Sequence, residues 1–202
     1  MKGVENPIVK NIIQLAMIVF SVVLGIFLSE RIEERKNEKE AALLLSKITL
    51  EVAENQRILE EWVPVHREVV KRLDSLYQDD AFISAFVADK SVLFKAIFTR
   101  SSLMGRTPAH DAWDIAKAHP LIVHFDYNDL LLLSKVYNQQ IMTYSAIPEL
   151  VDHLLSADFN AQDRAKENLG EFRNRLRETV SREMQLMEYF AEAESLLQTD
   201  SP

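Results

Sequence analysis

Hydrophobic positions along the chain fall into three regimes. The first is an unbroken apolar run, Ile12 to Leu28 (IIQLAMIVFSVVLGIFL), with no ionisable residue and Gln14 as its one strongly polar side chain. As a helix its seventeen residues span roughly 25 Å, and snorkelling by Lys10 and Arg31 closes the gap to a bilayer core. A leader peptidase would meet Phe27 with Ser29, or Leu28 with Glu30, where it needs small residues. The run therefore predicts a retained membrane anchor rather than a signal peptide or a buried helix. The second regime, from Glu30 to Glu40, is charged and has no apolar stripe. At four-residue spacing Glu30–Glu34, Arg31–Arg35, Glu34–Glu38 and Arg35–Lys39 repel, whereas Lys36–Glu40 attracts, so intrinsic propensity favours this helix more than charge pairing does. The third regime starts at Ala41, where apolar residues recur every three or four positions.

That spacing predicts an all-α domain. Ala41, Leu44, Leu45, Ile48, Val52, Leu59 and Trp62, interrupted by Asn55, place one helix out of the membrane and into the domain, with Pro64 expected to kink or end it. His66, Val69, Val70, Leu73, Leu76 and Tyr77 continue an amphipathic face to Asp79–Asp80. Short helices are expected over Ala81–Ala88 and Ser91–Leu103, with Phe82, Phe86, Leu93, Ile97 and Phe98 inside. Thr107 as N-cap and Pro108 at the first helical position open a helix to about Lys117, which Pro120 stops. Leu121–Phe125 reads as buried extended chain or a helical turn. Asp126 caps a helix from Tyr127 to about Ala146, and Pro148 opens another ending near Ala157. After a polar link, Ser156–Asn160, the last helix covers about Ala161 to Leu197. Its stripe is Ala165, Leu169, Phe172, Leu176, Val180, Met184, Met187 and Phe190 or Ala191, suited to a bundle or a coiled coil. Gly170 beside it suits a close helix crossing. The chain thus divides into a tail (1–11), a transmembrane helix (12–28), a charged stalk (29–43), a helical-bundle domain (44–197) and a disordered tail (198–202).

Composition supports this division. Hydrophobic residues make up 48 % of the 202 residues, which argues against disorder, and four Gly with six Pro are too few for a sheet-rich fold. The net charge is −8; Lys2 and Lys10 against Glu5 leave the first 29 residues at +1, so the remainder carries −9. That balance argues against nucleic acid as a partner. Without Cys there are no disulfides, thiolate metal sites or cysteine nucleophile. Lys and Arg alone number two before the span and four after it (Arg31, Arg35, Lys36 and Lys39), which would put the domain in the cytoplasm. The Glu residues among those four offset them, and the expectation leans to a domain on the outer, periplasmic side of a cell (inner) membrane.

Candidate chemistry is sparse. His110 with Asp114, and Glu149 with His153, are four apart and could offer paired metal ligands, yet no Glu-x-x-His element accompanies them. Walker A, dinucleotide-binding, H-E-x-x-H and nucleophile-elbow motifs are missing, and no cofactor or catalytic residue is expected. Arg164, Lys166, Arg173, Arg175, Arg177 and Arg182 alternate with Asp163, Glu167, Glu171, Glu178 and Glu183, which reads as a solvated mixed-charge face.

The densest segment is Thr107 to Gln140, with Trp113, three His and two helix starts. The anchor, the charged stretch Glu30 to Lys36, and then Thr107, Ala112, Trp113, Asp126, Leu133, Ser134 and Tyr137 together resemble a loose group of uncharacterised bacterial single-pass membrane proteins. The resemblance implies a membrane-tethered domain and no particular activity. Either Thr107 and Asp126 cap helices while Trp113 and Tyr137 pack between them, or a small pocket or partner surface lies beside Trp113 and Tyr137, rimmed by His110, Asp114 and His119. The leading expectation is a membrane-anchored interaction or scaffold protein, without catalysis, that binds other proteins or copies of itself. The alternatives are a ligand-sensing extracytoplasmic bundle acting through a partner, its ligand unknown, and a metal-dependent hydrolase.

Overall fold

The computed structural model describes residues 7–97, 103, 105–159 and 161–199, and among these it holds helices and no strand. Its spine is α1, Pro7–Tyr77, a continuous helix of 71 residues and therefore about 105 Å long. From Asn11 it begins as an exposed helix long and apolar enough to cross a membrane. Burial begins at Ala41, about 20 Å beyond Leu28. The intervening turns are solvated, with Lys36 and Glu40 paired at 3.7 Å. Of the two outcomes expected at Pro64, a kink or an end, the end does not occur: α1 continues through it. Pro64 and Glu60, whose carbonyl loses its helical partner there, are both exposed, so water can satisfy that carbonyl.

After α1 come α2 (Asp80–Ala88), α3 (Ser91–Ile97), α4 (Asp111–Ala118), a 3₁₀ turn (Pro120–His124), α5 (Tyr127–Tyr144), α6 (Ala146–Leu155), a second 3₁₀ turn (Gln162–Arg164) and α7 (Ala165–Thr199). The Asp79 carboxylate caps α2, and Asp126 caps α5 by accepting from Asn128 N–H at 2.7 Å. Phe98, expected inside, lies outside the described residues, as do residues 200–202 of the expected tail; α7 itself reaches Thr199. The link after α6 is not simply polar, because Phe159 is fully buried against Phe86 and Phe172.

α7 runs back along α1. Asp80 pairs with Lys166 at 3.4 Å, and Asp74 pairs with Arg173 at 3.7 Å and with Arg177. At the end nearer the apolar segment Ile48 shares a core with Leu197. α5 also lies antiparallel to α7, with Lys135 near Glu192 at 3.8 Å and Gln139 bonded to Gln185 at 3.2 Å. The three helices meet through steps of four and three residues, the 3.5-residue period of coiled coils. On α1 the buried or half-buried series is Ala41, Leu45, Ile48, Val52, Asn55, Leu59, Trp62, His66, Val69, Leu73 and Leu76. On α7 it is Ala165, Leu169, Phe172, Leu176, Thr179, Glu183, Leu186, Phe190, Ala193 and Leu197. On α5 and α6 it is Asp129, Leu133, Val136, Gln140, Thr143, Ile147, Leu150 and Leu154.

Two apolar cores result. The core nearer the apolar segment contains Ile48, Val52, Leu59, Val136, Leu186 and Phe190, with Trp113 of α4 against it. The distal core gathers Leu73, Phe86, Leu93, Ile97, Leu150, Phe159, Leu169 and Phe172 from α1, α2, α3, α6 and α7. Between them the helices present His66, Thr143, Thr179 and Glu183, while Asn55, flanked by Val52 and Leu59 of the first core, is bonded to Gln140; all six are buried. Glu183 is thus not part of a solvated charged face. Met184, expected in the stripe, is 45 % exposed.

Candidate functional site

The polar groups inside the bundle form two constellations, both anchored on α1. In the first, Glu51 of α1 reaches the start of α4. Its Oε2 accepts from Ala112 N–H at 2.8 Å, while its Oε1 accepts from the Tyr137 hydroxyl at 2.7 Å and, at 3.4 Å, from Trp113 N–H. A carboxylate at the positive end of a helix is favourable, and here a neighbouring helix supplies it. Thr107 is therefore not the N-cap and Pro108 is not the first helical residue. The cap position is His110, which makes no side-chain cap bond. Burial, then the bond to Glu51 and its charge, raise the pKa of Tyr137, so the phenol remains a donor.

Thr107-Pro108 instead belongs to a strap held by two buried amides. Asn55 Oδ1 accepts from Ala109 N–H at 2.8 Å, and its Nδ2 donates to the Ala109 carbonyl at 2.7 Å and to Gln140 Oε1 at 3.1 Å. Gln140 Nε2 donates to the same carbonyl at 2.9 Å and to that of Pro108 at 3.3 Å. The backbone on both sides of Ala109 thus ties α1 to α5.

The second constellation is the pair His66–Glu183, both side chains at 0 % exposure. His66 Nδ1 lies 2.9 Å from each Glu183 oxygen, and Nε2 lies 2.5 Å from the Leu103 carbonyl. A carbonyl only accepts, so Nε2 carries a hydrogen, and one further proton sits between Nδ1 and the carboxylate. Burial opposes a charged ring, but the hydrogen bond and charge of Glu183, with the Leu103 carbonyl, outweigh it and hold the His66 pKa above its ordinary value. Trp62 covers the imidazole at 5.9 Å between ring centres. The nearby Tyr144 hydroxyl is raised in pKa by burial first and then by the Glu183 charge, and finds no hydrogen-bond partner among the described residues.

The residues singled out in the sequence come together in part. Trp113 and Tyr137, both buried, stack with ring centres 5.6 Å apart and planes 7° from parallel. Each fills the space beside the other. His110 and Asp114 meet at the surface, Nδ1 to Oδ2 at 2.6 Å, while Lys117 takes the other oxygen at 2.8 Å; Lys117 and then His110 pull the Asp114 pKa below its usual value. His119 is turned inward on its own chain, where Nδ1 accepts from Leu121 N–H at 3.3 Å. His153 packs edge-on against Phe159 at 5.2 Å. Among the described residues no three His, Asp or Glu side chains gather as metal ligands.

A groove of about 600 Å³ opens elsewhere, between α5 and α7, lined by Leu131, Leu132, Lys135, Glu192 and Leu196. Sequence reading missed Glu51, Gln140 and Glu183. The available signal was the interruption of apolar steps, at Asn55 on α1 and between Leu176 and Phe190 on α7. No protein-family model, curated protein or solved structure matches the chain.

Proposed function

We propose that this is a single-pass membrane protein of the cell (inner) membrane whose helical domain, on the periplasmic side, acts by binding proteins, copies of itself included, rather than by catalysis. The observation that carries the reading is the continuity of α1: the apolar segment and the core of the bundle belong to one helix. A bundle built on a rigid rod is held at a fixed height of about 20 Å from the bilayer, a geometry suited to presenting a surface to other membrane-bound components. The interior polar groups support it too. Glu51, Asn55, Gln140, His66 and Glu183 are spent on one another and on backbone, which makes them parts of the scaffold. A sensor pocket at Trp113 has less support, because Tyr137 closes on the indole.

The test is the mass of the full chain extracted from membranes in mild detergent. A defined oligomer or a complex with other membrane proteins is expected. A strictly monomeric chain without partners refutes the reading.

A further inference from the structure

We infer that a second copy of this chain docks in parallel along the outer face of α1, on the line Gly25, Ile32, Leu43 and Leu50. The inference rests on the self-association proposed above and names its surface. Beyond the apolar span, α1 leaves three large apolar side chains in the open: Ile32 at 69 %, Leu43 at 59 % and Leu50 at 64 % exposure. They are eleven and seven residues apart, so a helix brings them within about 20° of one another. Ala41, Leu45, Ile48 and Val52 point the opposite way, into the bundle. Gly25 lies seven residues before Ile32 on the same line, and a Cβ there would meet nothing within 4 Å. Ser21 is one turn earlier, and Gln14 falls on the same side. Two small residues in a span specify nothing by themselves. Here they prolong a face that the water-exposed part of the helix marks independently, and close backbone approach is what such residues allow in a bilayer.

The flanks of the face point to a second copy as the occupant. Insertion in one membrane sets two copies parallel and at one depth, so a two-fold axis brings each residue opposite its counterpart. The left flank of one helix then meets the right flank of the other. Glu33 and Glu40 lie on one flank, and Arg35 lies on the other. Arg35 of each copy therefore meets Glu40 of the other. Lys36 and Lys39 stand on the line itself, with Lys47 beside it, and each repels its counterpart, which weakens the soluble half. Three apolar side chains are too few for a dimer in water, so the membrane segment supplies the remaining contact and the full chain is needed.

The chain has no Cys, so single-cysteine variants in native membranes test the face directly. Mild oxidation should yield disulfide dimers with Leu43→Cys and with Leu50→Cys, and none with Glu34→Cys or Glu38→Cys on the opposite side. Adding Glu40→Lys to Leu43→Cys should reduce dimer yield about two- to tenfold, and further adding Arg35→Glu should restore it. Equal cross-linking at all four positions overturns the inference, as does cross-linking at none. If none cross-links while the chain still migrates as a complex, this face is wrong and the interaction reading stands. If the chain is also monomeric and partnerless, both fall.

Discussion

Glu183→Gln is expected to erase the pH dependence of stability expected of the natural chain, whereas Glu183→Ala should cost far more. His66 and Glu183 share one proton in a space closed to water. An unfolded histidine titrates near 6.5, and the folded one is raised above that. The folded state therefore keeps the proton to higher pH. The stabilisation is complete below about pH 6.5 and is lost as pH rises through the folded pKa, with a slope of at most one proton, about 1.4 kcal/mol per pH unit. Tyr144, the other titratable group near Glu183, is raised and stays neutral across this window. In Glu183→Gln the amide NH₂ donates to Nδ1 while Nε2–H remains on Leu103. Every polar atom of the ring stays bonded, no proton is taken up, and the loss is about 1 kcal/mol. In Glu183→Ala the ring nitrogen faces a void, and removing one member of a buried pair costs about 3–5 kcal/mol. Urea unfolding of the full chain in detergent micelles between about pH 6 and 9 reads all three proteins. Fluorescence of Trp62 and Trp113, both buried, reports on the bundle and not on the span. A Gln variant that keeps the natural slope above pH 6.5, or an Ala variant no weaker than the Gln variant, would refute the shared proton.

Three further changes probe α1 and its contacts in the same assay. Glu51→Ala strips the Tyr137 hydroxyl and the first turn of α4 of their acceptor and should cost about 2–3 kcal/mol; Tyr137→Phe, which removes only the donor, should cost about 1 kcal/mol. Equal losses would show that the carboxylate does not hold α4. Pro64→Ala restores a helical N–H on an exposed turn and should add about 1–3 kcal/mol; a drop in the urea midpoint would mean that the bundle needs the irregularity. At Gly170 an added Cβ lies 3.1 Å from Tyr77 Cε2, in a ring already covered by the Arg173 guanidinium at 4.2 Å. Gly170→Ala should be near neutral, because helix propensity offsets the contact, whereas Gly170→Val should lose about 1–3 kcal/mol. A Val variant as stable as the natural chain would show that the crossing is not tight.

What could be read from the sequence was what depends on local, repeated chemistry. The apolar run at Ile12–Leu28, the start of burial at Ala41, the Asp126 cap and the all-α class follow from spacing and propensity, and the structure carries each. The α4 start was misread because Thr107-Pro108 has the local form of a cap, while the acceptor that decides the matter, Glu51, is supplied from α1, more than fifty residues away. Of the kink or end expected at Pro64, the end does not occur, for a related reason. The cost of the proline depends on whether the freed carbonyl is wet, and that depends on which face the bundle covers.

The stripe on α7 shows why the interior was the hardest part to foresee. A search for apolar steps leaves Leu176 for Val180, Met184 and Met187, whereas the helix keeps its strict step through Thr179, Glu183 and Leu186. The polar residues sit at core positions because each finds its partner at the same height on a neighbouring helix: Glu183 opposite His66, Gln140 opposite Asn55. No single helix reveals such a pairing. The same fact explains what these residues do for the fold. Apolar layers of Leu, Val and Phe have no directional partner, so by themselves they specify the register of α7 on α1 less sharply than a polar layer does. Sliding α7 by seven residues would put Leu176 or Phe190 opposite His66, and leave Glu183 facing Leu59 or Leu73, respectively, with its charge unpaired. That penalty is several kcal/mol, enough to separate one register from the next. The layer between the two cores thus fixes how far α7 runs back down α1, and with it the distance of the bundle from the apolar segment.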